Sequence, residues 1–294
     1  MFQKDLLQGK RFLVTGGGTG LGKTMTEHFA ALGADVVICG RRENKLVETA
    51  EEINARGAGQ VSIRVLDIRD PEAVDAVMTA VFAEGPLDGL VNNAAGNFIS
   101  PTKDLSPRGF DAIASIVFHG TFYVTHAFGK RLIEAGRKGS ILSITTTWVW
   151  SGSPFVVPSA MSKGAVNIMT KSLAAEWGRY GIRVNCIAPG PFPTEGASAR
   201  LSPGKMIGDG DYTDDIPLGR AGKLEELGHL AAYLMADQSE YITGQTIAID
   251  GGSMLGGNGG TFWGLQKLSD DDWENIRNMI KSANQKDKAA RSTG

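Results

Sequence analysis

Short apolar runs alternate with longer amphipathic stretches along most of the chain. The runs predict strands at Arg11–Thr15, Asp35–Cys39, Val61–Leu66, Gly89–Asn92, Ser140–Thr145, Arg183–Ile187 and Gln245–Ile249. The stretches between them predict helices at Leu21–Leu32, Glu43–Ala55, Pro71–Ala83, Pro107–Ala135, Val157–Tyr180 and Leu224–Met235. Continuous apolar strands separated by helices are typical of a parallel sheet covered on both faces. We therefore predict an α/β fold with a doubly wound, parallel, seven-stranded sheet.

Two segments depart from this alternation. Pro191–Leu218 is rich in Gly, Pro, Ser and Asp, and its length favours a substrate-side loop or lid. Gly251–Gly264 is rich in glycine and precedes a predicted amphipathic helix at Asp270–Ile280. Residues 282–294 are polar, and we expect this tail to fray. Because nothing resembles an interdomain linker, residues 1–294 are predicted to form a single domain.

Composition narrows the function classes. The 294 residues are 42% hydrophobic and 21% charged, which excludes disorder over most of the length. A net charge of −2 disfavours a nucleic-acid or anionic-membrane surface, and no apolar run is long enough to span a bilayer. Cys39 and Cys186 lie in apolar runs, so buried reduced thiols are expected, and with four His they supply no metal cluster. Since no targeting signal is recognisable, a cytoplasmic location is predicted.

A glycine-rich run, TGGGTGLG at residues 15–22, follows the first strand and opens the first helix. Glycines let a backbone approach a pyrophosphate, whose charge is stabilised at a helix N-terminus. The run could also form a simple strand–helix turn. The dinucleotide interpretation assigns cofactor contacts to Gly16, Gly18, Thr19, Gly20, Leu21 and Gly22.

The end of the second strand indicates which dinucleotide is used. An acidic residue there would bind a ribose 2′-hydroxyl, whereas this chain has Arg41 and Arg42. Two guanidinium groups suit a 2′-phosphate, so NADP(H) is the predicted cofactor. The alternative is that Arg41 and Arg42 are solvated side chains at the start of the second helix and bind no cofactor.

Further motifs occur in register with the glycine-rich run: Asp67 after the third strand, NNAAG at residues 92–96 and PGPF at residues 189–192. This ensemble resembles the short-chain dehydrogenase/reductase family over almost the whole chain. The resemblance implies a Rossmann-type fold. It also implies cofactor contacts at Asp67, Ile68, Asn93, Ala94, Lys163, Pro189, Gly190 and Phe192.

The catalytic segment departs from the usual family pattern. Most members place a Tyr acid four residues before the conserved Lys, but here Ser159 stands four residues before Lys163. Thr146 occupies the usual Ser place, and Val117 stands where many members have a proton-relaying Asn. Losing a positioned acid typically costs ~10²–10⁴ in rate, so alcohol–ketone chemistry is disfavoured.

Several runs resemble the 2,4-dienoyl-CoA reductase branch: LVNNAAGNFISP (90–101), SITT (143–146), FVVPSAMSK (155–163), SLAAEWG (172–178) and GASARL (196–201). The resemblance implies an NADPH-dependent reductase of an acyl thioester, with acyl-CoA the expected substrate, in fatty-acid β-oxidation, and a homotetramer. It also implies that Asn97 binds the thioester, that Ser159 and Lys163 hold the nicotinamide ribose, and that Phe98, Ser106 and Arg200 contact the substrate. Asn97 could instead bond its own backbone, and Arg200 could be a solvated charge.

The sequence does not identify the residue that would donate the proton in this reduction. Mitochondrial-type members of the branch have a Tyr donor two residues after SITT, where this chain has Trp148. An indole N–H donates a hydrogen bond but is no acid near neutral pH. Trp148 could shape the acyl pocket, position a water, stabilise a dienolate oxygen or simply line the pocket. A carbonyl reductase of another substrate, such as a 3-oxoacyl thioester, and a non-catalytic NADPH-binding protein are the alternative functions.

Overall fold

The sheet in the computed structural model is parallel and has seven strands. They are β1 (Arg11–Thr15), β2 (Asp35–Gly40), β3 (Val61–Val65), β4 (Gly89–Asn92), β5 (Gly139–Ile144), β6 (Ile182–Pro189) and β7 (Thr246–Ile249). Their order across the sheet is β3-β2-β1-β4-β5-β6-β7. Every neighbouring pair is parallel. The predicted α/β doubly wound fold is confirmed.

The helices are α1 (Gly20–Ala31), α2 (Glu43–Asn54), α3 (Pro71–Ala83), α4 (Pro107–Ala114), α5 (Thr121–Glu134), α6 (Trp148–Ser151), α7 (Val157–Trp177), α8 (Leu224–Met235) and α9 (Ser253–Gly256). All of the helices except α9, which follows β7, lie between strands along the chain, and the longer ones lie close to their predicted positions. Single 3₁₀ turns occur at Thr102–Asp104, Gly178–Tyr180 and Asp237–Ser239.

The core has two apolar layers, one on each face of the sheet. One layer joins Phe12 and Ile38 to Met25 and Phe29 of α1 and to Leu227 of α8. The other joins strand residues Leu13, Leu90 and Ile141 to Val124 and Phe128 of α5. Successive strand residues point to opposite faces, so burial of both faces requires continuous apolar strands.

The sequence pattern does not predict the short helices α6 and α9 or a π-helical segment. The expected helix Pro107–Ala135 is interrupted by a π-helical segment, Ser115–Gly120, between α4 and α5. A Cβ on Gly120 would lie 2.7 Å from the Ile68 side chain, so this segment packs against the loop after β3. The short helix α6 lies in a stretch for which the sequence pattern predicts neither helix nor strand. An apolar pattern does not reveal where helical hydrogen bonds widen to a π turn.

The structure describes residues 3–57, 59–194, 213, 216–256, 268–276 and 278. They fall into two compact units, Met1–Met254 with the sheet and Leu255–Gly294. In the second unit, residues 270–276 are helical, as predicted. Most of the predicted lid and the whole predicted tail lie outside the described residues, so these assignments and the single domain stay predictions. Within the described ranges, no helix has the length and apolar character to cross a membrane.

Candidate active site

The glycine-rich turn forms a cradle between β1 and α1. Gly16 and Gly20 have φ of +66° and +55°, a region that favours glycine. A Cβ on Gly22 would overlap the carbonyl oxygen of Gly16, so α1 packs directly on the turn only because Gly22 has no side chain. Thr19, the N-cap of α1, makes no side-chain cap bond. The first N–H groups of α1 therefore remain available to an anion.

Thr15 and Asn93 lock the turn to the end of β4. The Thr15 hydroxyl accepts hydrogen bonds from the backbone N–H groups of Asn93 and Ala94, each at 3.0 Å. The Asn93 amide donates to the carbonyls of Thr15 and Gly16 at 3.0 and 3.1 Å. The order of strands reverses between β1 and β4, which is where doubly wound sheets bind their ligands. This role of Thr15 depends on contacts with a distant strand and is not apparent from the sequence.

Cationic side chains surround the outer side of the cradle. Arg41 and Arg42 are exposed, and Arg42 donates to the Thr19 hydroxyl at 3.2 Å. Asp67 forms an ion pair with Arg69 at 2.5 Å. The hydrogen bond from Arg69 holds the pKa of Asp67 below its usual value, and the charge of Arg41 lowers it further. The two strand ends therefore present excess positive charge beside the turn.

Helix α7 brings Ser159 and Lys163 to the sheet one turn apart. Their exposed fractions are 4% and 9%. The Lys163 Nζ donates a hydrogen bond to the carbonyl of Ile144, at the end of β5. Burial lowers the pKa of Lys163 to about 8. The Lys163 ammonium is therefore held in place by the Ile144 carbonyl, and it loses its proton more readily than a solvated lysine does.

The loop after β4 is tied to the segment before α7. Ser100 N–H donates to the carbonyl of Phe155 at 2.8 Å, and Phe155 has φ of +63°, which is unusual for a non-glycine residue. This bond brings the loop containing Asn97 and Phe98 to the segment that leads into α7. Trp148 is the first residue of α6, and its side chain is half-buried. Helix α6 packs on α7.

The predicted substrate residues differ in what they contact. The Asn97 Oδ1 accepts from Phe98 N–H at 2.9 Å, which leaves its amide Nδ2 as a donor. Ser106 caps α4 by accepting from Gly109 N–H at 3.1 Å, a role indicated by its position before Pro107. Its substrate contact stays a prediction. Arg200 lies outside the described residues.

The segment after β6 completes the cradle. Gly190 N–H donates to the Ile249 carbonyl at 3.0 Å, which joins β6 to β7 beyond Pro189. Phe192 is buried against Gly222, where a Cβ would overlap its ring. A Cβ on Gly20 would lie 3.6 Å from Thr194. The chain after β6 therefore passes over the glycine-rich turn.

Val117 and two titratable side chains, His119 and Tyr180, have other surroundings. Val117 is fully buried in the π segment. His119 stacks edge-on against Phe118 and Tyr123. Tyr180 lies in the turn that ends α7, with Arg179 over its ring at 4.7 Å. None of these contacts joins His119 or Tyr180 to Lys163.

The cradle, the orphan helix N–H groups and the cations fit a nicotinamide dinucleotide. A family model described as enoyl-(acyl carrier protein) reductase matches residues 16–254. A probable (3E)-enoyl-CoA-producing 2,4-dienoyl-CoA reductase of Caenorhabditis elegans is 44% identical over 292 residues, covering 96% of this chain and 93% of the relative.

Solved structures agree with the family match. A short-chain dehydrogenase from Bacillus anthracis is 42% identical with a TM-score of 0.76, covering 85% of this chain and 98% of that one. A putative NAD(P)-dependent gluconate 5-dehydrogenase from Beutenbergia cavernae with bound NADP is 30% identical with a TM-score of 0.80, covering 86% and 100%. The chain belongs to the short-chain dehydrogenase/reductase family and is an oxidoreductase.

Proposed function

We propose that the protein is an NADPH-dependent reductase of 2,4-dienoyl-CoA thioesters that acts in fatty-acid β-oxidation. One observation carries this proposal: buried Lys163 is retained, while Ser159 stands where a carbonyl reductase needs a phenol. A hydroxyl of serine is not an acid near neutral pH, so protonation of an alkoxide is poorly supported. Reduction of a conjugated thioester avoids an alkoxide altogether. The name of the 44% identical relative supports the same substrate class.

The preference for NADPH rests on the cations at the cradle. Arg41 and Arg42 lie at the end of β2, and Arg42 already reaches Thr19 of the turn. A 2′-phosphate there would accept forked, charge-assisted hydrogen bonds. The cofactor supplies a hydride when bound. Lys163 and Ser159 would bind the nicotinamide ribose of the cofactor.

The reaction requires a hydrogen-bond donor at the thioester. Hydride adds to the fifth carbon of the dienoyl group, and the displaced electron pair moves through the conjugated system to the thioester oxygen. The Asn97 Nδ2 is a donor for this developing charge because its Oδ1 is engaged by Phe98 N–H. The dienolate then takes a proton at carbon from water.

Proton delivery to the carbon next to the thioester leaves the remaining double bond between the third and fourth carbons. A dienolate without an enforced acid is protonated fastest at this position, so we propose a 3-enoyl thioester as product. The description of the Caenorhabditis elegans relative as (3E)-enoyl-CoA-producing supports this product. Trp148 would border this region as an N–H donor or as pocket wall.

We propose further that the protein is a homotetramer and that it is located in the cytoplasm. We also propose that Arg200 binds the CoA part of the substrate. Size-exclusion chromatography with light scattering measures the assembly, and fractionation of the source cell measures the location. Replacing Arg200 by Ala should raise the KM for dienoyl-CoA more than that for a pantetheine thioester.

The direct test is to incubate the protein with NADPH and trans-2,trans-4-dienoyl-CoAs of several chain lengths. NADPH oxidation should be stoichiometric with a 3-enoyl-CoA identified by NMR, and NADH should react more slowly. Tight NADPH binding without turnover of any thioester would favour a non-catalytic protein. NADPH oxidation with a 3-oxoacyl thioester and not with any dienoyl-CoA would establish a carbonyl reductase instead.

A further inference from the structure

One aromatic residue combines a strained backbone with an exposed ring. Phe155 has φ of +63°, and no other non-glycine residue in the described part of the chain has a positive φ. Steric crowding of the Cβ disfavours this region for a bulky residue, whereas glycine adopts it freely. The Phe155 side chain is 57% exposed, so burial offsets little of this cost. Stability alone therefore does not explain a phenylalanine at this position.

The turn at Phe155 keeps its ring in solvent while the next residue enters the core. Val156 is 3% exposed and is the N-cap of α7. Its carbonyl accepts a hydrogen bond from Ala160 N–H at 3.0 Å. A glycine at position 155 would allow the same turn without strain. The phenyl ring is therefore the feature that requires a function.

A second apolar side chain is exposed beside Phe155. Ser100 N–H donates to the Phe155 carbonyl at 2.8 Å, and Ile99, the residue before Ser100, is 42% exposed. This bond places Ile99 and Phe155 on adjacent stretches of backbone. Phe98 packs in another direction, because a Cβ added to Gly109 of α4 would lie 3.5 Å from its ring. The loop is thus anchored on α4 by Phe98 and presents Ile99 to solvent.

Ile99 and Phe155 border the candidate active site. Ile99 lies two residues after Asn97, whose Nδ2 is the proposed donor to the thioester. Phe155 lies four residues before Ser159, which is buried on α7 with Lys163. The two segments follow the neighbouring strands β4 and β5, so both lie at the carboxyl edge of the sheet. A ligand held by Asn97 would therefore lie close to this apolar surface.

Both segments lack charged residues. None occurs from Gly89 to Thr102 or from Gly139 to Ser162, and these stretches contain β4, β5 and the segments that border the site. A charged substrate such as a sugar acid would find no ion-pair partner in either stretch, whereas a hydrocarbon chain needs none. The composition therefore favours an apolar portion of the substrate at this surface.

We propose that Ile99 and Phe155 bind the hydrocarbon chain of the substrate and determine its preferred length. The inference rests on the proposed function for the identity of the substrate as an acyl thioester. Chain carbons beyond the conjugated system would cover both side chains and remove apolar surface from water. A longer chain should therefore bind more tightly than a shorter one.

The test measures binding of hexanoyl-, octanoyl- and decanoyl-CoA to the protein saturated with NADP⁺, by isothermal titration calorimetry. These saturated thioesters are not reduced, so the readout needs no turnover. Phe155→Gly removes the ring and relieves the strain, and Ile99→Ser removes the second apolar side chain. Tyr241→Ala is the control, because Tyr241 is a fully exposed aromatic residue that precedes β7 and so lies at the amino edge of the sheet.

In the wild type and in Tyr241→Ala, we expect each added pair of methylene groups to raise the affinity by at least ~4-fold. This gain should fall below ~2-fold in Phe155→Gly and in Ile99→Ser, while NADPH affinity is unchanged. The melting temperature of Phe155→Gly should equal or exceed that of the wild type, because glycine adopts the left-handed backbone without strain. If Phe155→Gly does not fold, Phe155→Asn replaces it, since asparagine also tolerates positive φ.

Three results would overturn the inference. They are a wild-type affinity that does not depend on chain length, a gain that both variants retain, and a smaller assembly in light scattering of the variants, which would identify this surface as a subunit contact. A chain-length dependence that the variants lose would support the inference even without turnover of any dienoyl-CoA. In that case only the proposed function would be wrong.

Discussion

Burial of the Lys163 ammonium opposes folding. Its pKa is about 8 in the folded protein against 10.5 for a solvated lysine. Between these values the unfolded chain binds more protons, so stability rises with pH from about 8 to 10.5, and the full cost is present below 8. The upper bound of that cost is about 3 kcal/mol.

Lys163→Met should therefore raise the melting temperature by a few degrees at pH 7 and lose this advantage near pH 10.5. The same variant should lower NADPH-dependent turnover by at least ~100-fold. Differential scanning calorimetry across pH and initial rates measure both effects. Lys171→Met on the exposed side of α7 is the control and should change neither. A destabilised Lys163→Met at neutral pH would contradict the burial argument.

Substitutions of Trp148 test whether the site lacks a general acid. Trp148→Tyr should retain or raise dienoyl-CoA reduction, because a phenol would restore a general acid worth ~10²–10⁴ when protonation limits the rate. Trp148→Phe serves as the control that removes the N–H without adding an acid. Single-turnover rates with deuterated NADPH show whether hydride transfer hides the gain. Loss of activity in Trp148→Tyr with unchanged NADPH affinity would mean that the indole itself is required.

The proposed preference for NADPH makes a prediction about the cations of the cradle. Arg41→Ala/Arg42→Ala should weaken NADPH binding by ~10–100-fold and leave NADH binding nearly unchanged, because only the former has a 2′-phosphate. Fluorescence titration with both cofactors measures the ratio. Arg137→Ala removes one positive charge, which pairs with Asp88 remote from the turn, and serves as a control for loss of charge elsewhere on the surface. Equal weakening for both cofactors would point to a general charge effect instead.

At the scale of elements, the contact between the turn and α1 depends on a missing side chain. Gly22→Ala places a methyl group against the Gly16 carbonyl and 2.5 Å from the Asn93 amide, so the turn and the β4 end must separate. We expect NADPH binding to fall at least ~10-fold and stability to fall by a few kcal/mol. Isothermal calorimetry and chemical denaturation measure these losses.

Gly164→Ala is the control for helical glycine, since its added Cβ meets nothing within 4 Å. It should stabilise α7 by up to about 1 kcal/mol through helix propensity. Tight NADPH binding by Gly22→Ala would contradict the cradle.

Elements differ in how far the sequence determines them. The Ser159–Lys163 spacing and the glycine-rich run predict a site because both depend on local geometry. The proximity of the polar residues Asn92, Cys186 and Thr246 could not be predicted, because they come together only through strand register. Thr15 likewise acquires its role from β4, which lies far along the chain. The π segment arises from a shift in backbone hydrogen bonding that leaves no distinct residue pattern.

At the scale of the whole molecule, two helices in contact expose apolar side chains. Phe118 in the π segment and Phe122 in α5 are 44% and 48% exposed, and they lie one turn apart. Met161 and Ile168 on α7 are 58% and 60% exposed and share a face by their seven-residue spacing. The π segment packs on α7, so these side chains can form one apolar surface. Such a surface favours association with a second copy.

Phe122→Glu/Ile168→Glu should convert the expected homotetramer into smaller species, because four charges would face each other across every two-fold contact. Analytical ultracentrifugation across protein concentration measures this change. Val47→Glu, which alters an exposed apolar residue on α2, should leave the assembly intact. Since Lys163 and Ser159 lie on the buried side of the same α7, dissociation should also lower turnover by loosening that helix. A double variant that keeps the wild-type mass would place the subunit contact on another surface, and a wild-type protein that is already monomeric would exclude the tetramer.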